Sequence, residues 1–248
     1  MAEPVEVRPL AWHGASAAAD DAHIRGLFGA TMLLGGANRF PLALLDEYTE
    51  VCLGWYLRAG RADVGLAVDT DGTPLGYALV CADNAAQAAE ARRATIRLAR
   101  RVSARLVTAR LDPASRRFYA HRLRDSVALW RTQHEPPMPA HAHLNVGAGS
   151  RSGRAAATLR DHIDERCRLR GLAGWYGEIN AKAGHREQAL ERLQLHVLHR
   201  TPNHTLSRAL GAPVLRLTVV RDLGTLAAAE RAERAQRAGR PGLAPARP

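Results

Sequence analysis

Lysine is almost missing from this chain of 248 residues. Lys182 is the only one, and arginine supplies the rest of the positive charge behind a formal net charge of +11. So one-sided a choice of cation fits the codon bias of a GC-rich genome, which makes compositional drift the larger part of the basicity. The remainder would serve attraction to an anionic ligand, such as a phosphate-bearing cofactor or nucleic acid. Cysteine is scarce as well. Cys52, Cys81 and Cys167 are scattered and odd in number. That rules against a disulfide framework and fits a reducing compartment. Each lies in an apolar pattern, where a buried inert thiol is expected rather than a nucleophile. No run reaches the ~20 apolar residues of a membrane span. The opening MAEPVEVRPLAW has early acids and no apolar core, unlike a signal peptide. These absences predict a soluble cytoplasmic protein, long enough to bury a core without disulfides or metals.

What is present reads as alternating strands and helices, with no internal repeat. A first strand is expected over Val5–Trp12, and helices over Ala19–Leu34 and Leu42–Gly60. Two apolar runs between Asp63 and Asp83 flank Thr70-Asp71-Gly72, a hairpin turn. From Asn84 to about Thr132 the composition changes to alanine and arginine, with twelve arginines in two helices divided at Asp112-Pro113. A strand at Leu144–Val146 then breaks into glycine and serine before a helix over Arg154–Arg170. Ala156, Leu159, Ile163 and Cys167 are its expected apolar stripe, and Gly171 its stop. The segment Asp161–Arg166 reads as a solvated helix face. A strand over Gly174–Asn180, the helix HREQALERLQL, and strands HVLHRT and VLRLTVVRDL follow. The tail from Gly224 starts helical and is expected to end in disorder.

The loop after Val146 is the most informative stretch. Gly149 and Gly153 stand one residue too close for a P-loop, and Arg154-Ala155 follows where Lys-Ser/Thr is required. A dinucleotide fingerprint fails at Ser152. SRSGRA, Ser150 to Ala155, fits the acyl-CoA pyrophosphate pattern Arg/Gln-x-x-Gly-x-Gly/Ala at Gly153 and Ala155, with Ser150 in place of Arg/Gln. The physical logic is that a helix start offers free N–H groups and a positive dipole end. A glycine lets phosphate oxygens approach the main chain, and Arg151 and Arg154 add charge.

The order of elements, with HLNVGAGSRSGRAAATLRDHI, GWYGEIN and ALERLQLHVLHRT, resembles the GCN5-related N-acetyltransferase (GNAT) superfamily over nearly the whole chain. The resemblance implies an α/β (α+β) fold: a mixed, mostly antiparallel central sheet flanked by helices and splayed in the middle. It implies one domain over residues 1–223, with a helical insertion at about 84–137 between the third and fourth strands. Acetyl-CoA would be the cosubstrate of N-acetyl transfer, with no metal. Leu144, Asn145 and Val146 would meet the pantetheine arm, the Val146 N–H polarising the thioester carbonyl. Arg151, Ser152, Gly153, Arg154 and Ala155 would hold the pyrophosphate, and Asn180 would contact the pantetheine amides. Leu190 stands where the family often has a tyrosine that protonates the departing thiolate, so that acid must come from elsewhere or be lacking.

Transfer to an amine needs a base. Glu178, on the cleft-lining strand, and His143, paired with His141 across one residue, are the candidates, with Tyr176 as substitute acid. His141 and His143 lack a third ligand at metal-binding spacing, so two strand histidines are favoured over a metal site. The acceptor is expected to be a small-molecule amine or an amino terminus. A non-catalytic CoA-binding or scaffolding module is the alternative. The arginine segment reads as a lid or a homodimer contact. Docking on RNA is not favoured, because Phe118, Tyr119 and Trp130 are too few for base stacking.

Overall fold

The computed structural model describes residues 4–34, 36, 40–132, 138–147, 153–182, 184 and 187–228. Seven strands form one sheet: β1 (Glu6–Pro9), β2 (Gly65–Val68), β3 (Pro74–Cys81), β4 (Ala140–Val146), β5 (Gly174–Lys182), β6 (His196–Pro202) and β7 (Val214–Asp222). Their spatial order is β1-β2-β3-β4-β5-β7-β6. Every pairing is antiparallel except the central one, β4 with β5. Of the helices, α1 (Gly14–Thr31) and α2 (Leu45–Leu57) lie on one face and α5 (Arg154–Leu169) on the other. The rest are α3 (Asn84–Val107), α4 (Pro113–Thr132), α6 (Glu187–Arg192) and α7 (His204–Leu210).

Each face has its own core, because side chains alternate along a strand. Ala140 and Ala142 of β4, Trp175 and Ala181 of β5, and Leu217 and Val219 of β7 pack with Leu159, Ile163 and Cys167 of α5. On the other face Leu66, Tyr77, Leu79 and Cys81 meet Ile24 of α1 and Leu53, Tyr56 and Leu57 of α2. The buried stripe of α5 begins at Ala155 rather than Ala156, since Ala155, Leu159 and Ile163 follow one another at four-residue spacing. Asp164 is also buried, contrary to the solvated face expected there. It accepts hydrogen bonds from Trp175 Nε1 at 2.7 Å and from Arg221 Nε at 2.7 Å. A sequence window sees two charges four apart on a helix; the partner that draws this one inward comes from β7.

The arginine-rich segment is the two-helix insertion expected between β3 and β4. Asp83 caps α3 by accepting from the Ala86 N–H, and Asp112 caps α4 through the Ala114 and Ser115 N–H groups. Ion pairs Arg58–Glu90 and Arg101–Glu47 tie α3 to α2. α4 reaches the front of α2. Tyr119 Oη donates to Ala43 O at 2.6 Å, Ser115 Oγ accepts from Ala43 N at 2.9 Å, and the Phe118 ring stands edge-on to Tyr48 at 5.4 Å. The turn-rich stretch before β7 contains α7, a helix too short to show a period. Asn203 Oδ1 caps it internally, and Asp125 of α4 caps it from outside by accepting from the N–H groups of His204 and Thr205. β4 begins at Ala140, four residues before the apolar run that marked it. The first turn of the C-terminal helix is formed over 223–228, and the tail expected to be disordered lies outside the described residues. No described helix is long and apolar enough to cross a membrane.

Candidate active site

β4 and β5 are paired only at Ala140 with Trp175 and His141 with Tyr176. Beyond that point β4 stays with β3, as far as Val146 against Gly76, while β5 stays with β7 along its whole length. The sheet therefore opens into a wedge. Gly177 stands where it opens, and a β-carbon there would lie 2.6 Å from the Ala142 carbonyl oxygen. Only glycine lets β5 pass β4 that closely before diverging.

The wedge exposes an unpaired strand edge. Gly147 N–H donates to Leu75 O at 2.8 Å. Hydrogen-bonded positions alternate along an antiparallel pair, so Asn145 and His143 also turn their main-chain groups to β3. Leu144 and Val146 turn theirs into the wedge. At its open end the chain crosses a short connection to α5. Gly153 occupies the cap position with φ +75°, in the left-handed region that costs a residue with a β-carbon about 1–2 kcal/mol. A β-carbon there would meet nothing within 4 Å, so the demand is on the dihedral angle and the space around the cap is open. Glycine offers no side chain to cap the first turn of α5, and Gly153 makes no side-chain cap hydrogen bond there.

The face of the sheet opposite α5 carries ionisable groups beside this opening. His141 and His143 of β4 have ring centroids 4.5 Å apart, and Tyr176 lies 4.8 Å from His141. From α2, Tyr56 Oη hydrogen-bonds His141 Nδ1 at 3.1 Å and its ring stands edge-on to His143 at 5.8 Å. Glu178 is two positions past Tyr176 on the same face, with Arg216 Nε 3.5 Å from its Oε2. Both imidazoles keep some solvent access, yet protein surrounds them on most sides. Loss of solvation pushes the His141 imidazole well below the usual histidine range, with His143 adding to the effect. His143 is also lowered by burial and is partly restored by the Glu178 carboxylate. Both are neutral near pH 7. Burial raises the Tyr56 phenol, and burial with the Glu178 charge raises that of Tyr176. The Tyr56 hydroxyl and His141 Nδ1 share one hydrogen bond, in which the tautomer of the ring sets which group donates.

Solved structures share this architecture. One is a GCN5-related N-acetyltransferase from Kribbella flavida: 15% identity, TM-score 0.50, 88% of this chain and 98% of that chain covered. SsHAT aligns at 14% identity and TM-score 0.53, over 88% and 98%. A candidate acetyltransferase from Acinetobacter baylyi ADP1 aligns at 10% identity and TM-score 0.50, over 90% and 95%. This chain has the GNAT fold. No family model matches the sequence, and no curated protein matches it.

Within the GNAT fold, the residues singled out in the sequence fall in three groups. His143, Tyr176 and Glu178 converge on one face beside the wedge. Leu144, Val146, Gly153, Arg154 and Ala155 lie along its edge and mouth; Ala155 is buried and presses the first turn of α5 onto the sheet. Ser150, Arg151 and Ser152 lie outside the described residues. The side chains of Asn145 and Asn180 are engaged within the protein. Asn145 Nδ2 donates to Thr31 Oγ1 and to Tyr77 Oη, tying β4 to α1 and β3. Asn180 Oδ1 accepts from Asn203 Nδ2 at 2.8 Å. Leu190 is 3% exposed and belongs to the α5-side core. Tyr56 and Gly177 escaped the sequence reading. Tyr56 sits among apolar residues in the sequence of α2 and gives no sign of a polar role; Gly177 has a signal, a glycine inside a strand.

The cysteines stay inert. Burial drives the Cys81 thiol up to about 11 and the Cys167 thiol up to about 12. Among the described residues no group of three or more potential ligands could hold a metal ion.

Proposed function

We propose that this GNAT-fold protein is an acetyl-CoA-dependent N-acetyltransferase that passes its acetyl group directly to a small-molecule amine or an amino terminus. The observation that carries the reading is the wedge: an unpaired β4 edge, a helix start at its mouth, and a base-bearing face beside it. The pantetheine arm would pair with Leu144 and Val146 as an added strand, and the Val146 N–H would polarise the thioester carbonyl. The amides of Arg154 and Ala155, reached past Gly153, would hold the pyrophosphate; Arg151 and Ser152 would add to that grip, and Asn180 is proposed to face the arm through its free amide edge.

A neutral amine nitrogen attacks the carbonyl carbon, the C–N bond forms, and the C–S bond breaks. His143, neutral at rest, takes the amine proton directly or through a water. The nearby Glu178 carboxylate stabilises the imidazolium that results. Tyr176, kept protonated by its surroundings, gives its proton to the departing thiolate. Thiol release from acetyl-CoA in the presence of an amine panel tests the reading. Turnover is expected with at least one amine, falling about 10²-fold or more in His143→Asn.

A second reading rests on Leu190. Its burial in the core leaves α6 without the tyrosine the family often places there, as a protein that binds CoA without turnover would allow. Tight CoA binding with no thiol release from any amine would establish that reading and overturn the first.

A further inference from the structure

The two strands that open the wedge share one last rung. His141 of β4 faces Tyr176 of β5 across it, and beyond it the strands part. The proposed base, His143, lies past the rung on β4, and the proposed acid, Tyr176, lies on β5. The imidazole of His141 stands in ring contact with both. Its centroid is 4.8 Å from that of Tyr176, with the planes 35° apart, and 4.5 Å from that of His143, with the planes 77° apart. Residues two apart on a strand sit roughly 6.5 Å from one another. The two imidazoles are closer than that, so they lean together along β4. Tyr56 of α2 meets them there. It is fully buried. Its hydroxyl is 3.1 Å from His141 Nδ1, and its ring stands edge-on to His143 at 5.8 Å. The ring of Tyr56 is itself set by Trp55, edge-on at 5.2 Å, and by the core that α2 shares with Leu79 and Cys81 of β3.

Apolar packing alone asks for phenylalanine at position 56. A buried hydroxyl needs a partner, and here the partner is the ring that borders both reacting groups. We propose, resting on the acetyltransferase reading above, that Tyr56 and His141 are positioning residues. Tyr56 holds His141 at Nδ1, and His141 sets how His143 and Tyr176 stand relative to one another. In this role neither takes the amine proton nor gives one to the thiolate. The need for such a tie is geometric. The amine attacks and the thiolate leaves the same carbonyl carbon, so base and acid must keep a fixed spacing around it. β4 and β5 do not fix it through their main chains, since their pairing stops at His141 and Tyr176. The His141 ring supplies the tie between side chains instead. A misplacement of about 1 Å can cost turnover up to ~10²-fold. It leaves the wedge edge and the mouth of α5 untouched, so the loss belongs to kcat and not to KM.

Tyr56→Phe tests this by removing the hydroxyl and keeping the ring. In thiol release kcat should fall about tenfold, with KM for acetyl-CoA and for the amine within about twofold. His141→Phe keeps an aromatic ring between His143 and Tyr176 but offers Tyr56 no nitrogen, and should lose a similar factor. The double variant should be no worse than either single one, because both break the same bond; if His141→Phe does not fold, Tyr56→Phe decides alone. Imidazole nitrogen NMR of the CoA-free protein reads the clamp without turnover. The His141 ring nitrogens should hold the shifts of one tautomer in the wild type and move toward an average of two in Tyr56→Phe, and the His143 signals should move with them. An unchanged kcat in Tyr56→Phe, a loss shared by kcat and KM, losses that multiply in the double variant, or His143 signals indifferent to the hydroxyl would each overturn the proposal. A wild type that acetylates no amine would sink the acetyl-transfer reading instead, and moving His141 and His143 signals would then still uphold the Tyr56 clamp.

Discussion

In the proposed reaction His143 is the residue on which the chemistry turns, and its surroundings fix how it responds to pH. Burial lowers its pKa below 6.5 and Glu178 opposes that shift. The limb that His143 protonation sets in turnover should therefore lie on the acid side of about pH 6.5, where the imidazole takes up a proton and ceases to be a base. Removing the carboxylate in Glu178→Gln removes the opposing influence, so the acid limb should move to still lower pH. A pH–kcat/KM profile of the two proteins checks the sign. Gly153 is legible from sequence alone, but for a reason only the backbone reveals. Its φ of +75° admits asparagine better than valine. Gly153→Val should weaken CoA binding at least about tenfold by calorimetry, and Gly153→Asn much less; equal losses would mean that bulk rather than backbone geometry matters there.

At the scale of elements, the wedge depends on β5 leaving β4 at one glycine. Gly177→Ala sets a methyl against the Ala142 carbonyl and should cost about 1–3 kcal/mol by denaturant titration. α7 depends on a residue of another helix. Asp125→Ala strips three hydrogen bonds from its start and should lower stability by about 1–2 kcal/mol. Such dependence shows where sequence reading stops. The Asp-Gly hairpin, the capped insertion helices and the glycine-marked start of α5 are written in local chemistry. α7 is not, because its caps are tertiary. Nor is the burial of Asp164, which waits on Arg221, or the place of Tyr56, which reads as an apolar helix position until β4 brings His141 to its hydroxyl.

For the whole molecule, acid sensitivity follows from the histidines. His23, His141, His143 and His162 all have folded pKa values below the ordinary 6.5 because burial disfavours their charged forms, and buried Nε2 atoms of His23 and His162 have no hydrogen-bond partner. The unfolded chain then binds more protons than the folded one below about pH 6.5. Stability should be fully present above that pH and decline as pH falls toward 5, before the carboxylates, lowered from 3.8 at Asp20 and Asp125, begin to titrate. A urea midpoint that did not change between pH 7.5 and 5 would contradict this. The succession of strands along the chain was legible because hydrophobic alternation and turn residues set it; the meeting of Tyr56 with His141 and His143 was not, since distant segments supply it.

The central claim is that the β4 edge facing the wedge is where the cofactor's arm pairs. Amide hydrogen exchange at Leu144, Asn145 and Val146, measured by NMR with and without saturating CoA, tests it most directly. The account predicts that Leu144 and Val146 slow by about tenfold or more on adding CoA, while Asn145, already bonded to β3, does not change. Leu144 and Val146 amides that exchange at the same rate with and without CoA would contradict it.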